Sequence, residues 1–411
     1  MSKGAFQGCG FTQFVVSDGI TTISNGLFAN CGKLTNITLP KGLKAIEDGA
    51  FAGCGFTEFV VPDGITTISN YMFANCGKLT SITLPKDLKA IGAGAFSGCG
   101  FTEFVIPDAI TTISDNLFAN CPNLRKITFP KTITSMGNGI FSHSGIREFT
   151  LPEQVTEITN NMFEGCQNLE HIYLHDGLKS IGDNAFIYST LNNINIPKSV
   201  YYLGRSCFKE CKYLKEVVIS SDYITEIPTE AFASSGVDKI KLPANLERIG
   251  ERAFIGAGRL GATEGFTIPS KVKEIGAEAF YKGFGYAAYL VLPASLKTVP
   301  IYAFAACHAN VIYAYMSEPF ALGDDDFDGY PRSECKLYVP KGCAKKYRQA
   351  EIWKEFDIEE MDGTGIEGVT NDSTVTEVSR YDANGNMLAA PAKGLNIVRY
   401  SDGTVKKVMV E

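Results

Sequence analysis

The sequence predicts an α/β repeat solenoid, in which short parallel β-strands from successive units stack into one continuous body. Three observations predict it. A phenylalanine recurs at nearly constant spacing, the same alternating apolar pattern follows each phenylalanine, and a proline often ends that pattern. The 411-residue chain is 45% hydrophobic and 20% charged, so it has enough apolar material to fill such a core.

The phenylalanine period sets the number of units at about fourteen. The spacing runs from 22 residues (Phe6 to Phe28) to 26 residues (Phe254 to Phe280). The fourteen positions are Phe6, Phe28, Phe51, Phe73, Phe96, Phe118, Phe141, Phe163, Phe186, Phe208, Phe232, Phe254, Phe280 and Phe304. Such a period indicates that each unit is one coil of a stack.

A second period, of about 45 residues, lies over the first. Residues 6–14 and 51–59 are nearly identical, whereas the unit between them carries one extra residue after its cysteine. We call the units with the extra residue long coils and the others short coils. A loop can absorb the extra residue, so the strand keeps its inward face. The pattern indicates duplication of a two-coil cassette.

Each unit predicts the same succession of elements. Residues 34–39 alternate apolar and polar side chains at their end, where Ile37 and Leu39 point inward, and predict a short strand. Pro40 ends it because proline gives no N–H to a ladder. Leu43 and Ile46 predict a second extended segment on the opposite wall. Residues 47–51 predict a turn with one helical turn. No unit can bury its apolar face alone, so the coils must stack.

The repeat resembles a known family. Residues 91–96 and 249–254 both read Ile-Gly-x-x-Ala-Phe, and a Cys, a Leu and an Ile-x-Leu-Pro strand follow in the best-matching units. This pattern resembles the BspA-type (Treponema pallidum-type) leucine-rich repeat of bacterial surface proteins. Among these, the chain resembles the surface proteins of Bacteroidetes. The resemblance implies a right-handed leucine-rich-repeat solenoid with parallel strands over residues 1–311. It also implies a cell-surface or secreted protein that adheres to host proteins or to other cells.

Two further segments follow the repeats. Residues 312–361 predict a C-terminal cap over the open apolar end of the stack, with a strand at 337–339 and then a helix. Residues 362–411 predict a linker and a small all-β tail, whose short alternating strands are joined by hairpin turns. This tail resembles the secretion or sorting domains of Bacteroidetes proteins.

The twelve cysteines predict packing rather than chemistry. Nine of them stand three residues after a repeat phenylalanine, where other units have Ser144, Ser189, Ser235, Ala257 or Gly283. A position that accepts such residues is a small buried slot, and buried cysteine behaves as a small hydrophobe. We expect free thiols, with disulfides or a metal as the less favoured alternative.

Candidate ligand-binding residues lie on the outward side of the first strand of each coil. The early units place Thr and Val there, whereas from the sixth unit onward the residues become charged, polar or aromatic. The candidates are Arg125, Arg147, His171, Tyr173, Asn193 and Asn195. Such a mixed strip suits recognition, while plain solubilising residues are the alternative.

The lengthened units near the end of the solenoid give a second candidate surface. Insertions in neighbouring repeats project from one face, which is often the binding face. Tyr286 and Tyr289 stand among glycines there, and aromatic rings suit sugar stacking or protein contact. Packing over a widening core is an equally good interpretation.

An acidic loop resembles the opening of a calcium site. Asp324, Asp326 and Asp328 precede a glycine in the order of a calcium-binding loop. The twelfth position is Cys335 instead of glutamate, so the EF-hand form fails. We expect a solvated acidic loop, with calcium as the weaker alternative and no other metal site.

Function follows by exclusion and from the resemblance. The net charge of −7 argues against nucleic acid, and no apolar stretch is long enough to span a bilayer. No nucleophile, phosphate loop or paired carboxylate motif stands out, so we expect no enzyme and no cofactor. The expected role is recognition of host extracellular or microbial surface proteins. The alternatives are glycan binding and a passive spacer.

The chain lacks a signal peptide, so we expect trimming of an exported precursor.

Overall fold

The computed structural model of the chain describes residues 2–300, 302–329 and 331–361 in full. Beyond them it describes the backbone of residues 377–382, 387–388, 394–400 and 405–410. The chain divides into two compact units, Met1–Glu360 and Met361–Glu411. The first unit contains both the predicted solenoid and the predicted cap.

Most coils of the first unit contribute two short strands. In chain order they are β1 (Gln13–Val15), β2 (Thr22–Ile23), β3 (Asn36–Thr38), β4 (Ala45–Ile46), β5 (Glu58–Val60), β6 (Thr67–Ile68), β7 (Ser81–Thr83), β8 (Ala90–Ile91), β9 (Glu103–Val105), β10 (Thr112–Ile113), β11 (Lys126–Thr128), β12 (Ser135–Met136), β13 (Glu148–Thr150), β14 (Glu157–Ile158), β15 (His171–Tyr173), β16 (Ser180–Ile181), β17 (Asn193–Ile196), β18 (Tyr202–Leu203), β19 (Glu216–Ile219), β20 (Glu226–Ile227), β21 (Lys239–Lys241), β22 (Arg248–Ile249), β23 (Phe266–Thr267) and β24 (Glu274–Ile275).

These strands form two parallel walls. The odd-numbered strands make the first wall and the even-numbered strands make the second wall. Neither ladder is continuous over the described residues, but wherever neighbouring strands of a wall pair, they pair in parallel. The register aligns equivalent residues: Phe14 lies opposite Ile37, and Ile23 lies opposite Ile46. Each wall therefore buries one side of its strands and exposes the other, as the alternating pattern predicts.

A third side of each coil consists of tight turns around the repeat phenylalanine. Residues with positive φ flank that phenylalanine on both sides, as Gly26 (61°) and Asn30 (61°) do around Phe28. Backbone bonds join each turn to the next, such as Phe28 N–H to Ala50 O at 2.9 Å. The predicted helical turn is thus wrong, because left-handed residues two positions before and two positions after the phenylalanine produce successive β-turns.

The α part of the predicted α/β class is not confirmed. In the described residues of the first unit the one α-helix is α1 (Ala344–Gln349), with two short 3₁₀ turns at Arg332–Glu334 and Trp353–Glu355. The molecule is instead a β-solenoid of stacked coils. The parallel strands and the coil count follow the prediction. Helix is absent from the described coils because the turn wall satisfies its backbone groups with the neighbouring coil.

The first-wall ladder is interrupted with the 45-residue period. Strand β1 pairs with β3, β5 with β7, β9 with β11 and β13 with β15, always from a short coil to the following long coil. Among these described strands no ladder joins β3 to β5, β7 to β9, β11 to β13 or β15 to β17. We call these four places pair gaps. The two-coil cassette of the sequence is therefore also a structural unit.

A glycine after the cysteine lets two short coils, those of Phe51 and Phe96, approach the preceding long coil. A Cβ on Gly100 would lie 2.5 Å from Gly77 O, and one on Gly55 would lie 2.5 Å from Gly32 O. Gly100 N–H donates to Leu79 O at 3.0 Å. At the third pair gap Gly145 N–H donates to Cys121 O at 3.0 Å, and at the fourth Thr190 N–H donates to Cys166 O at 3.4 Å. A backbone bond of this kind, together with the turn bonds, therefore holds the coils together at the start of each pair gap.

The core is a column of stacked aromatic rings. Successive repeat phenylalanines from Phe6 to Phe304, and then Phe327, lie with ring centroids between 4.9 and 6.4 Å apart. From Phe28 onward these rings are buried, with Phe327 the most exposed at 3%. The stacked-phenylalanine prediction is confirmed.

The end of the first unit continues the first wall. Strands β25 (Leu290–Leu292), β26 (Val311–Ala314), β27 (Lys336–Val339) and β28 (Asp357–Glu360) join β23 in a five-stranded parallel sheet. Helix α1 and Trp353 pack beside it, and Trp353 is fully buried. The predicted strand is confirmed, and a helix follows it but ends at Gln349, so that Trp353 lies in a separate 3₁₀ turn. The role of this segment as a cap stays a prediction.

The second unit contains an antiparallel sheet. Its strands are β29 (Glu377–Asp382), β30 (Met387–Leu388), β31 (Gly394–Tyr400) and β32 (Val405–Val410), in the order β30-β29-β31-β32. These strands lie within the predicted tail, whose assignment as a secretion or sorting domain stays a prediction. The predicted linker and hairpin turns lie outside the described residues. In the described part of the chain no helix is long and apolar enough to cross a membrane.

Candidate functional site

The six candidate residues of the predicted strip lie on the outward side of the first wall. Arg125 precedes β11, Arg147 precedes β13, His171 and Tyr173 lie on β15, and Asn193 and Asn195 lie on β17. All six are exposed, and Tyr173 keeps 55% of its surface accessible. We call these six residues the polar strip.

Several members of the polar strip are fixed by neighbours on adjacent coils. The Arg147 guanidinium binds Glu170 at 2.7 Å. The Arg125 guanidinium donates to Pro122 O at 2.9 Å and to Gly145 O at 2.7 Å. Asn195 Oδ1 accepts a bond from Ser220 at 3.0 Å. These bonds limit side-chain motion, so the strip is pre-organised for contact with another molecule.

A cleft of about 880 Å³ opens between β11 and β13, at the third pair gap. Its lining includes Arg125 and Arg147 of the polar strip, together with residues 126–131 and 148–154. The cleft exists because the two strands do not pair. Sequence reasoning missed it, since the one-residue difference between long and short coils was assigned to a loop without consequence for the ladder.

The lengthened units place their aromatics in different settings. Tyr286 is 60% exposed, and its ring lies edge-on to His308 at 5.4 Å. Tyr289 is half-buried, and its ring contacts the ring of Tyr313 at 6.3 Å. Of the two candidates, Tyr286 is therefore available to a ligand, while Tyr289 packs along the sheet.

The acidic loop binds backbone groups of the preceding coil. The Asp326 carboxylate is buried and accepts bonds from Phe304 N–H at 3.0 Å and Gly323 N–H at 2.9 Å. Asp328 accepts a bond from Ala306 N–H at 2.8 Å. Burial raises the pKa of Asp326, while these N–H groups oppose the rise. These contacts explain the positions of Asp326 and Asp328, whose carboxylates stabilise the stacking of the coils. No ion is needed to account for either residue. The expected solvated loop is therefore wrong for Asp326, which is buried, while the calcium alternative stays a prediction.

The repeated cysteines form a column of buried thiols. All twelve cysteines lie among the described residues and are free. Eight donate to the carbonyl of the phenylalanine one coil earlier, such as Cys121 Sγ to Phe96 O at 3.2 Å and Cys166 Sγ to Phe141 O at 3.0 Å. The predicted packing slot is confirmed, and the thiol also satisfies a buried carbonyl there.

Burial of these thiols predicts a loss of stability at alkaline pH. Desolvation raises the pKa from the ordinary 9.0 to about 12 for Cys76 and to about 11 for Cys121. A raised folded-state pKa gives stability that is complete below pH 9 and lost as the pH rises toward 11. We expect the urea midpoint to fall over this interval. In a Cys76→Ala, Cys121→Ala variant the urea midpoint should fall less steeply with pH, because two of the buried thiols are gone. The lysines and tyrosines are the same in both proteins, so they do not contribute to the difference. An equal fall of the urea midpoint with pH in the two proteins would contradict the expectation.

Other exposed aromatics lie outside the predicted sites. Tyr201, Tyr202 and Tyr223 are on or beside the second wall, and Tyr188 and Tyr213 flank them in the chain. Tyr223 is the most exposed of them at 70%. Sequence reasoning missed this group because it searched the first wall alone. A count of aromatics at outward second-wall positions would have found Tyr202.

Parallel walls, a tight turn in every coil and a buried ring column define a leucine-rich-repeat solenoid of the β-rich kind. The family model "BspA type Leucine rich repeat region (6 copies)" matches residues 1–125, 89–215 and 179–311. The chain belongs to this family. No curated protein matches the chain significantly.

Several solved structures are similar to this chain. A leucine-rich repeat protein from Bacteroides ovatus is 26% identical, with 88% of this chain and 87% of that chain covered and a TM-score of 0.62. The Treponema pallidum leucine-rich repeat protein is 31% identical over 34% of this chain and 67% of that chain, with a TM-score of 0.32. A leucine-rich cell surface protein from Faecalibacterium prausnitzii is 20% identical over 89% and 92% of the two chains, with a TM-score of 0.42.

Proposed function

We propose that this protein is a non-enzymatic recognition protein, exposed at the cell surface or secreted, that binds host or microbial proteins through the first wall. The observation that carries the proposal is the change of the outward first-wall residues from Thr and Val to the polar strip. A wall of strands that presents one exposed tyrosine among charged and amide side chains suits protein recognition, in which a few anchors supply most of the affinity.

The experiment is a binding screen of the full chain against extracellular matrix proteins and bacterial surface proteins. A Tyr173→Ala, Asn193→Ala variant should bind the resulting partner at least tenfold more weakly, because it removes the aromatic anchor and a central amide. Its unfolding temperature should not change, since both side chains are exposed. Tyr223→Ala is the matched control, as it removes an exposed tyrosine outside the strip. Binding that survives the double substitution would place the interface elsewhere.

Glycan binding is the second candidate, and the exposure of Tyr286 favours it. An exposed tyrosine ring can stack on the apolar face of a sugar. Mucin glycans should then bind the parent chain and the Tyr173→Ala, Asn193→Ala variant equally, while Tyr286→Ala should reduce binding at least tenfold. Tyr289→Ala is a poorer test, because Tyr289 also contacts Tyr313 and its loss would disturb the sheet.

A further inference from the structure

The third pair gap exposes backbone groups at the edge of β11. In a parallel ladder the N–H and C=O of one residue point to one edge and those of the next residue point to the other. Lys126 N–H donates to Thr102 O at 3.4 Å, and Thr128 O accepts from Ile106 N–H at 2.9 Å. Lys126 and Thr128 therefore face β9, so Ile127 directs its N–H and C=O into the gap.

The facing edge of β13 is equally open. Arg147 O accepts from His171 N–H at 3.2 Å, and Leu151 N–H donates to β15 at 3.1 Å. Alternation along β13 then directs the N–H and C=O of Glu148 and Thr150 toward the gap. Strands β11 and β13, both fully described, share no ladder bond. Two strand edges with free pairing capacity thus face each other across the cleft.

The floor of the gap is apolar and incompletely covered. Ile127 and Phe129 are half-buried, whereas Phe149 and Leu151 on the other side are buried at 2% and 3%. The Phe129 ring reaches toward the Phe149 ring, with centroids 6.0 Å apart. An added strand would cover the exposed parts of Ile127 and Phe129 with its inward side chains, which is favourable because it removes apolar surface from water.

The charge around the gap is opposite to that of the whole chain. Its lining carries four basic residues and two acidic residues, namely Arg125, Lys126, Lys131 and Arg147 against Glu148 and Glu153. The chain as a whole has a net charge of −7. Arg147 is already paired with Glu170, so Arg125, Lys126 and Lys131 carry the local basic excess. This excess favours a negatively charged occupant, by steering and by complementarity at the rim.

A comparable place later in the solenoid is covered by the chain itself. Strand β21 pairs with β19, and β23 pairs with β25, but no ladder joins these two described pairs. There the insertion brings Thr263 and Glu264 against the side chains of Asp238 and Lys239, with Thr263 N–H donating to Asp238 Oδ1 at 3.1 Å. Gly261 N–H donates to the backbone oxygen of Asp238 at 2.9 Å. An interrupted first wall can therefore hold additional chain beside a strand edge.

We propose that the gap between β11 and β13 binds an extended acidic segment of a partner protein as an additional β-strand. The segment hydrogen-bonds to Ile127 on one side and to Glu148 and Thr150 on the other, as in other cases of strand addition. Alternate apolar side chains cover Ile127 and Phe129, and acidic side chains face outward near Lys126. The inference rests on the proposed function, because it specifies the form of the protein partner.

The test uses the full chain and an eight-residue peptide of alternating glutamate and valine with blocked ends. Calorimetry should detect saturable binding, and hydrogen exchange of segments 126–129 and 148–151 should slow at least tenfold. The same peptide with N-methylated valines keeps every side chain but loses half of its backbone donors. It should bind at least tenfold more weakly. A lysine–valine peptide should also bind more weakly, because the gap is basic.

Thr150→Pro removes an N–H that faces the gap without removing a bond to β15, and it should weaken binding of the glutamate–valine peptide at least tenfold. Val60→Pro is the matched control, because Val60 holds the equivalent position at the first pair gap. The affinity of the Val60→Pro variant for the glutamate–valine peptide should stay within twofold of that of the parent chain. If Thr150→Pro lowers the unfolding temperature, Lys126→Glu with Lys131→Glu replaces it and should weaken binding by at least the same factor.

Each outcome decides between the two proposals. Absence of peptide binding, equal binding of the N-methylated peptide, or unchanged exchange at both edges overturns strand addition. A protein partner that depends on Tyr173 but tolerates Thr150→Pro keeps the proposed function and also overturns strand addition. A third outcome is that the peptide binds with the predicted exchange pattern while the screen finds no protein partner. That outcome supports the gap as a strand-binding site and removes the support for the polar strip as a protein-binding surface.

Discussion

Phe96→Ala is expected to lower the free energy of unfolding by about 3–5 kcal/mol, the range for removal of a buried aromatic side chain. Phe96 is fully buried and lies between the rings of Phe73 and Phe118, at 6.1 and 5.9 Å. It also meets Phe101 and Phe104, at 5.7 and 5.1 Å. The substitution therefore removes contacts in three successive coils and leaves a cavity that the neighbouring rings cannot fill.

Denaturant unfolding followed by circular dichroism measures this loss. Tyr173→Ala is the control, since it truncates an exposed ring and should change the free energy of unfolding by less than about 0.5 kcal/mol. A loss below about 1 kcal/mol for Phe96→Ala would contradict the stacked column. Hydrogen exchange adds a local measurement. In the Phe96→Ala variant the backbone amides of the coils around Phe96 should exchange faster than those of the coils near Phe254, because each coil contacts only its neighbours.

The sequence predicted the parts of the fold that depend on side-chain periodicity. Alternation at residues 34–39 marks a strand because side chains on a strand point to opposite faces. The recurrence of Phe28 and its equivalents marks a coil because each ring needs a partner ring above and below. The strand at 337–339 and the buried Trp353 were likewise predictable from apolar spacing. These features need no knowledge of backbone geometry.

The parts that failed depend on backbone geometry instead. Residues 47–51 suggested a helical turn, but Gly49 adopts a φ of 60° and produces a β-turn. Many non-glycine residues hold the same conformation in other coils, such as Tyr71 and Glu210, so the signal is not confined to glycine. The pair gaps were not predicted either, since a one-residue difference in loop length does not reveal which ladder bonds it removes.

The candidate site was predictable in position but not in shape. Outward residues follow from alternation, so the exposure of His171, Tyr173 and Asn193 agrees with the pattern. Their partners do not follow from it, because the bonds of Arg125 to Pro122 and Gly145 depend on the loop between two coils. The cleft beside β11 arises in the same loop region, and for that reason sequence alone did not reveal it.

The prediction with the other large effect concerns the end of the first unit. Trp353→Ala should lower the free energy of unfolding by about 3–5 kcal/mol, as for other buried aromatics. Trp353 is fully buried, and its Nε1–H donates to Phe320 O at 2.7 Å. Its ring meets Phe320 and Tyr347, both at 5.4 Å. Denaturant unfolding measures the loss.

Trp353→Phe separates the hydrogen bond from the packing. It keeps an aromatic ring but leaves the buried Phe320 carbonyl without its donor, so we expect a smaller loss of about 1–3 kcal/mol. If residues 312–361 act as a cap, Trp353→Ala should speed hydrogen exchange in β26, β27 and β28 well before it affects the first coils, because stability in a solenoid spreads through nearest neighbours. Uniformly faster exchange along the first unit would show that Trp353 does not protect an end, and the cap assignment would then be wrong.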